Sequence, residues 1–549
     1  MQAQNQIVGM RSLPRKQIVF TMAGVMMAMF LSSLDQTIVG TAMPKIIGDL
    51  NGFTHYTWVT TAYIVTSAVV MPIVGKLTDM HGRKPYYIGG LIIFTLGSLL
   101  SGLSQNLTEL IFFRGLQGIG AGVIMANTFT VIGDLFPPAE RGKYQGLISG
   151  VFGLSAILGP TLGGLITDNL TWHWIFFVNV PLGLLVITLF MFYFPHFRNS
   201  VTEHKIDFGG MALLSFTVVP LLLALSLGGT EWAWNSFQSF GLFGLAAIMA
   251  FAFLHWESRA LEPIIPLSLF KNRIVAISQI VVFFTAFGMF GSIIFIPLFF
   301  QGVLGVSATI SGGFLVPMMM GQVTGSFTSG QLLSRAGGRY RLQGAVGLVI
   351  MAIGLLLASN MGPSTAYGSA VATIIVIGFG LGITMPLYTI ISQNAVPYTM
   401  LGVVSSSIPF ARSIGGAVGL AIFGSLLNGR FASELASSLP EAIKNVVPAS
   451  QLSALAQNPQ ALVSPEAQIQ LQEQFAHVGP AGPGLYNQLI VGLKNALSSG
   501  LNEVFLIGFF IVMTALVAHL FIKEIPLRKA HGHDTIPVKA LPKQLERKK

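Results

Sequence analysis

The apolar stretch AGVMMAMFLSSLDQTIVG, residues 23–40, carries one carboxylate, Asp35, near the middle of a segment suited to crossing a membrane. An acid at the centre of a membrane helix costs roughly 2.5–3.5 kcal/mol on insertion scales. Asp35 is therefore expected to face a helix bundle or a wet cavity, where it pairs with a cation or carries a proton. One interpretation is a salt bridge that only joins helices. We favour the other, a role in moving a solute across the membrane.

The composition of the whole chain is that of a membrane protein. Of its 549 residues, 52% are hydrophobic and 9% are charged, whereas soluble domains carry about 25% charged residues. The absence of cysteine excludes disulfides and thiolate metal sites. The ten histidines are scattered, and the sequence contains no Ser-His-Asp set and no phosphate-binding loop of the Gly-x4-Gly-Lys-Ser/Thr type. We therefore expect no metal, no cofactor and no use of ATP.

Apolar runs of about 20 residues, the length that crosses a bilayer core, recur along the chain. The first follows three basic residues and has no cleavage site, so we expect a retained helix rather than a signal peptide. The fourteen predicted spans are 18–42, 57–77, 86–104, 109–132, 144–167, 173–194, 207–228, 236–256, 274–301, 309–333, 342–360, 367–390, 400–427 and 501–522.

The basic residues are distributed unevenly over the predicted loops. Most of the 30 Lys and Arg side chains fall on the side of the N-terminus. By the positive-inside rule, both termini are predicted to be cytoplasmic. The basic excess is thus a topology signal, and no nucleic-acid partner is expected. We expect a monomer in the cytoplasmic or inner membrane, in contact with membrane lipids.

Two similar loops divide the chain into halves. GKLTDMHGRK, residues 75–84, follows the second span, and the weaker copy GQLLSRAGGR, residues 330–339, follows the tenth. Such loops indicate parallel six-helix repeats, and the fold class expected is an all-α membrane protein with fourteen spans arranged 6+2+6. The predicted divisions are an N-terminal bundle (1–200), an inserted hairpin with its linker (201–272), five helices of the C-terminal bundle (273–427), an extracytoplasmic segment (428–500), the last span (501–522) and a basic cytoplasmic tail (523–549).

Several further motifs occur in order on the predicted spans. They are LDQTIVGTAMP (34–44), WVTTAY (58–63), RGLQGIG (114–120), GPTLGG (159–164), WHWIFFVNVP (172–181), QN (393–394) and RSIGG (412–416). Together with the loop at 75–84 they resemble the major facilitator superfamily, specifically its fourteen-span drug:proton antiporters. Two departures are Ser334 where the first loop has Asp79, and the lack of acids inside spans nine to thirteen, which weakens the case for a divalent-cation substrate.

The resemblance implies a secondary exporter of amphipathic organic compounds, cationic or neutral, of the kind that confers antibiotic resistance. It would exchange its cargo for protons by alternating access, with the proton gradient as the energy source. A proton-coupled exporter of lipids or glycolipids is the alternative. A membrane enzyme is disfavoured because the sequence lacks a clustered catalytic set.

Asp35 and Arg114 are the predicted proton-coupling residues, because they lie on the first and fourth spans, which line the central cavity in this fold. Burial favours the protonated carboxyl and a nearby guanidinium favours the ionised one, so opening the cavity could load or release a proton. Arg114 could instead pair with a backbone carbonyl. Arg412 could pair with Asp35 across the cavity, or extend towards the cytoplasm.

The predicted substrate cavity draws on polar and apolar side chains of both halves. The polar candidates, together with two aromatic ones, are Gln36, Trp58, Tyr63, Gln117, Gln393, Asn394 and Arg412. Methionine and aromatic side chains suit a promiscuous pocket, although most such residues in a membrane helix face lipid. The remaining apolar candidates are Met26, Met29, Phe30, Phe284, Phe287, Met318 and Phe410.

Two further motifs are expected to control conformation. A cytoplasmic latch is predicted from Gly75, Asp79, Gly82, Arg83 and Asp134, with Arg141 just beyond; solvated loop charges are the alternative. The antiporter motif of Gly159, Pro160, Gly163 and Gly164 is expected to kink span five and seal the interface between the halves, unless it is ordinary small-residue packing. The polar segment 428–500, with amphipathic helices near 450–457 and 466–475, could cap the exit or be a tolerated insertion.

Overall fold

The computed structural model describes residues 13–50, 57–195, 205–229, 231–306, 315–335, 339–440 and 481–528, with a few positions between 443 and 476. This part of the chain forms fourteen long helices. Their bounds are α1 Arg15–Leu50, α2 Thr57–His81, α3 Arg83–Leu103, α4 Leu107–Leu135, α5 Pro138–Asn169, α6 Trp174–Tyr193, α7 Phe208–Leu227, α8 Phe237–Glu257, α9 Arg273–Leu298, α10 Leu315–Arg335, α11 Tyr340–Ala358, α12 Tyr367–Asn394, α13 Leu401–Ser438 and α14 Gly482–Leu520.

Thirteen of these helices are long and apolar enough to cross a membrane, and α10, which is richer in Gly, Ser, Thr and Gln, is the fourteenth. In hydrocarbon the backbone must satisfy its own hydrogen bonds, which is why apolar runs of this length become helices. Local signals fix the ends. Asn106 caps α4 by accepting from the Glu109 amide at 2.9 Å, and Gly82 turns the chain from α2 into α3 at a φ of +93°, which favours glycine.

The helices form two halves, α1–α6 and α9–α14, joined by the α7–α8 hairpin. The halves meet along two seams, α5 against α10 and α2 against α13, and the hairpin packs on α2 and α13. The predicted 6+2+6 arrangement is confirmed. We call the end of the bundle where α1 begins and α14 ends the basic end.

The segment expected to be polar and extracytoplasmic begins and ends differently from the prediction. Helix α13 continues to Ser438 rather than ending at 427, and α14 begins at Gly482 rather than 501. With 38 residues, α13 is about 57 Å long, so it extends well past a hydrocarbon core of about 30 Å. We call residues 428–438 and 482–500 the stalk.

An apolar stripe holds the stalk together. The buried side chains recur at four-residue spacing and face each other between the two helices, as in Phe431, Leu435, Leu489, Leu493 and Leu497. Arg430 adds contacts to Glu434 at 3.6 Å and Glu503 at 3.5 Å. The average polarity of the segment concealed this stripe. The helix predicted near 450–457, and most of that near 466–475, lie outside the described residues.

Candidate functional site

Asp35 lies at the centre of a buried polar cluster inside the first half. Helix α1 places its carboxylate against α4, where Arg114 Nη1 donates to Asp35 Oδ2 at 2.5 Å. Gln117, one turn further along α4, donates to Asp35 Oδ1 at 2.8 Å, and Asn179 of α6 donates to the same oxygen at 3.0 Å. Both carboxylate oxygens are therefore bonded, and three helices are joined through one acid.

Arg114 is held from several sides. Its Nη1 also donates to Gln117 Oε1 at 2.7 Å, and its guanidinium lies 4.3 Å from the centre of the Tyr63 ring. Asp35 is fully buried and the Arg114 side chain is 2% exposed. A buried pair is weak evidence for stability, but removing one partner leaves an uncompensated charge. The alternative in which Arg114 pairs only with a backbone carbonyl is therefore wrong.

Glycines bring the helices of this cluster close together. A Cβ on Gly97 of α3 would lie 2.7 Å from the backbone of Gln117, and one on Gly118 of α4 would lie 2.4 Å from the Tyr63 carbonyl oxygen. These contacts leave room for the polar side chains but exclude any larger residue. Tyr63 and Gln117, predicted to line a substrate cavity, lie in the Asp35 cluster and are fully buried in this conformation.

Asn179 and Ser98 complete the cluster and were not assigned to it from sequence. The Asn179 amide bridges Asp35 and Ser98 Oγ, the latter at 3.1 Å, and Ser98 donates to the Phe176 carbonyl at 2.9 Å. Asn179 belongs to the motif at 172–181 and carries the one side-chain amide of α6, which is otherwise largely apolar. That amide was the sequence signal for a partner of Asp35.

The predicted latch residues come together at the basic end. Asp79 accepts from the backbone amides of Gly402 and Val403 at 2.8 and 2.9 Å, so an acid of the first half caps the first turn of α13 in the second half. Arg83 donates to Asp79 at 2.7 Å and to Asp134 at 3.0 Å. All three charged side chains are nearly fully buried, which excludes solvated loop charges as the explanation.

Two glycine contacts close the two seams in a similar way. A Cβ on Gly75 would lie 2.8 Å from the Gly402 carbonyl oxygen, where α2 meets α13. A Cβ on Gly142 of α5 would lie 2.5 Å from the Cα of Gly330, the first residue of the second loop copy. The first glycine of each loop copy therefore packs against the opposite half. Gly337 and its neighbours, 336–338, lie outside the described residues.

Gln393 and Asn394 are at the basic end rather than in a cavity wall. Gln393 accepts from Arg141 Nη1 at 2.9 Å and donates to the Phe129 carbonyl at 3.0 Å, which links the halves beside the latch. Asn394 bonds the chain after α14, at Pro526 and Arg528. In this conformation neither residue is available to a cavity, because both stand in the last turn of α12.

The antiporter motif packs within the first half instead of sealing the interface. A Cβ on Gly159 would lie 2.0 Å from Thr37 Oγ1 of α1, and one on Gly163 would lie 3.2 Å from the Ile38 carbonyl oxygen. Gly164 has no atom within 4 Å of such a Cβ. The residues that face the other half are nearer the start of α5. The expectation of a seal between the halves was therefore wrong for this conformation.

The remaining cavity candidates are dispersed. Gln36 is exposed next to Asp35, Trp58 is half-buried in the first turn of α2, and Phe410 packs on the inserted hairpin. Arg412 does not reach Asp35, whose oxygens are occupied. The other apolar candidates lie fully buried, as Met29, Phe287 and Met318 do, or half-buried, as Met26, Phe30 and Phe284 do.

Comparisons with known proteins agree with this architecture. Residues 25–420 match the profile of the Major Facilitator Superfamily. The multidrug transporter protein MdtP of Bacillus subtilis (strain 168) is 41% identical over 523 residues, which cover 93% of this chain and 94% of that protein. Multidrug resistance protein 3 of the same organism is 38% identical over 508 residues, which cover 91% and 94%. The structure of the proton:xylose symporter XylE, bound to 6-bromo-6-deoxy-D-glucose, matches with a TM-score of 0.54 at 12% identity and covers 92% of this chain and 95% of that chain, which shows the fold alone.

Proposed function

Because the chain belongs to the Major Facilitator Superfamily, we propose that this membrane protein exports amphipathic organic compounds in exchange for protons. The superfamily expected from the motifs is confirmed, as is the expectation of a transporter rather than an enzyme, since its relatives are transporters. The names of the two Bacillus relatives support drug-like cargo. The positive-inside rule supports a cytoplasmic position for the basic end.

One observation carries the proton-coupling step: the fully buried Asp35 carboxylate is held by Arg114 and two amides in a bundle otherwise poor in acids. Ionised Asp35 compensates Arg114. A proton on Asp35 would remove that compensation and leave a cation buried alone, which low-dielectric surroundings penalise strongly. Protonation therefore favours a rearrangement of α1 against α4 and α6.

Alternating access supplies the rest of the cycle. With the latch made and both seams closed at the basic end, the conformation described here is shut towards the cytoplasm. Breaking the Asp79 cap and the Gly142–Gly330 contact would open that end and admit cargo. A proton that enters down 100 mV of potential supplies about 2.3 kcal/mol, or roughly fiftyfold bias per cycle.

The test uses inverted membrane vesicles that contain the full-length protein, with an imposed pH gradient, acid inside. Uptake is followed for fluorescent amphipathic dyes of positive, neutral and negative charge. We expect uptake of at least one dye against its gradient, collapse on addition of a protonophore, and loss in Asp35→Asn. Asp49→Asn is the matched control, because Asp49 is exposed on the same helix. Protonophore-insensitive transport, or uphill transport by Asp35→Asn at the wild-type rate, would contradict the proposal.

A further inference from the structure

A small cavity remains between the closed halves, on the basic side of the bundle's middle. Its volume is about 20 Å³, enough for one small chemical group, and both halves contribute to its walls. Ser326 donates to Ser149 across the interface at 3.0 Å, which joins the helices that bound it. The lining residues are Phe129, Gln145, Ile148, Ser149, Phe152, Gln322, Met385, Pro386 and Arg412.

Gln145 enters this cavity with its hydrogen-bonding capacity unused. The residue is 2% exposed, and neither its amide nitrogen nor its amide oxygen has a hydrogen-bond partner. Buried polar groups are nearly always paired, because leaving one unpaired costs free energy. An amide with both atoms free in a cavity between two moving halves is therefore suited to a ligand that arrives and leaves.

Arg412 lines the same cavity and has no counter-charge. It forms no hydrogen bond or ion pair with any residue that the structure describes. The buried arginines of the bundle are engaged, as Arg114 is with Asp35, Arg83 with Asp79 and Asp134, and Arg141 with Gln393. The described parts of α9–α12 contain no acid that could approach Arg412.

We infer that Arg412 and Gln145 bind the acidic group of the transported compound, so that the preferred cargo is an amphipath bearing a carboxylate. The inference rests on the proposed export function and names its substrate class. A guanidinium matches a carboxylate in a two-pronged geometry, and the Gln145 amide nitrogen can donate a further bond. Phe129 and Phe152 stand beside the pair to contact an apolar body. A cationic cargo finds no acid among the described residues that line this cavity, and the oxygens of Asp35, outside it, are already bonded.

The experiment compares one fluorescent amphipathic carboxylic acid with its methyl ester, on the purified full-length protein in lipid nanodiscs. We expect the wild type to bind the acid about tenfold to a hundredfold more tightly than the ester, the range for a charge-assisted hydrogen bond. Arg412→Gln should reduce acid binding to the level of the ester and change ester binding less than twofold. Arg412→Lys should retain part of the preference, and Gln145→Leu should weaken acid binding alone.

Controls separate recognition from folding. Arg259→Gln makes the same chemical change at an exposed position and should bind both compounds as the wild type does. Arg412→Gln should not lower the thermal midpoint, because it removes an uncompensated charge. Equal wild-type affinity for acid and ester, or equal loss of both in Arg412→Gln, would overturn the inference.

Two further outcomes are distinguishable. If replacing chloride by gluconate changes ester binding in the wild type but not in Arg412→Gln, the cavity holds an inorganic anion, and the inference about cargo is wrong. If the acid binds as expected but neither compound is carried uphill in vesicles, the proposed export function fails while carboxylate recognition stands.

Discussion

The Asp35–Arg114 pair is expected to behave as a coupled unit in a double-mutant cycle. Asp35→Asn keeps the shape of the side chain, but it places an amide nitrogen or a weaker acceptor opposite Arg114 Nη1 and leaves the guanidinium buried without a counter-charge. Arg114→Gln in turn leaves the Asp35 carboxylate buried without a counter-charge. Removing one member of a buried pair costs about 3–5 kcal/mol, so each single variant should be destabilised by that amount.

The double variant Asp35→Asn/Arg114→Gln should be less damaged than either single one. It buries no net charge, and the new Gln carbonyl can accept from the new Asn amide, so the remaining cost is about 2 kcal/mol or less. The interaction free energy across the cycle is then about 4 kcal/mol or more. Thermal unfolding of the purified proteins in detergent checks the order: wild type, double variant, single variants. A double variant that melts below both single variants would show that the residues act independently and would refute the charge-compensation argument. Proton-coupled transport should be absent from the double variant even where stability is recovered.

The other predictions concern the latch, the seam and the stalk. Asp79→Asn weakens the cap on α13 by about 1–2 kcal/mol, so transport turnover should fall about tenfold while substrate affinity changes less than twofold; a large loss of affinity at normal turnover would contradict a latch. Gly142→Val should prevent closure of the basic end, because its Cβ meets Gly330 at 2.5 Å, whereas Gly150→Val on the same helix meets nothing within 4 Å. The sequence has no cysteine, so closure of the basic end can be measured by labelling a single introduced cysteine, Ser149→Cys, from the basic side. Equal labelling in the Gly142→Val and Gly150→Val backgrounds would contradict this prediction. Deleting residues 444–474, which keeps the buried Ile443 and Phe475 in place, should preserve transport and thermal stability. Deleting 432–495 should lower stability, because each buried stalk leucine contributes about 1.5–3 kcal/mol; equal stability of the two deletions would count against the stalk.

The buried charges were predictable from sequence because the membrane makes them expensive. Asp35 and Arg114 had to find partners. The cluster of Asp79, Arg83 and Asp134 was predicted on another ground, the four-residue spacing of Asp79 and Arg83 near a helix end, which left solvated loop charges as an alternative. Asn179 was missed as a partner because a single amide costs far less to insert than a charge, so its presence in α6 did not demand an explanation.

Depth along a helix was the property that sequence could not supply. Gln393 and Asn394 are polar residues in an apolar run, which suggested a cavity wall, but their position in the last turn of α12 puts them at the basic end. The stalk was hidden for a related reason. Its leucines form a stripe only when α13 and α14 are laid side by side, and the polar residues between them dominate any average over the segment.

Helix α5 links the region of Asp35 on α1 to the interface between the halves, so a change of charge at Asp35 could alter that interface. Its far portion packs on α1 through Gly159 and Gly163, two to three residues beyond Asp35 at Thr37 and Ile38, and its portion near the basic end packs on α10 through Gly142. Contacts this close leave no room for the helices to slide independently, so a movement of α1 that follows loss of the Asp35–Arg114 pair must displace α5. We expect the same displacement to separate Gly142 from Gly330 and so to open one seam. Under the proposed function, the motif at 159–164 would act on the interface from a distance, as the part of α5 that is packed on α1, the helix that carries Asp35.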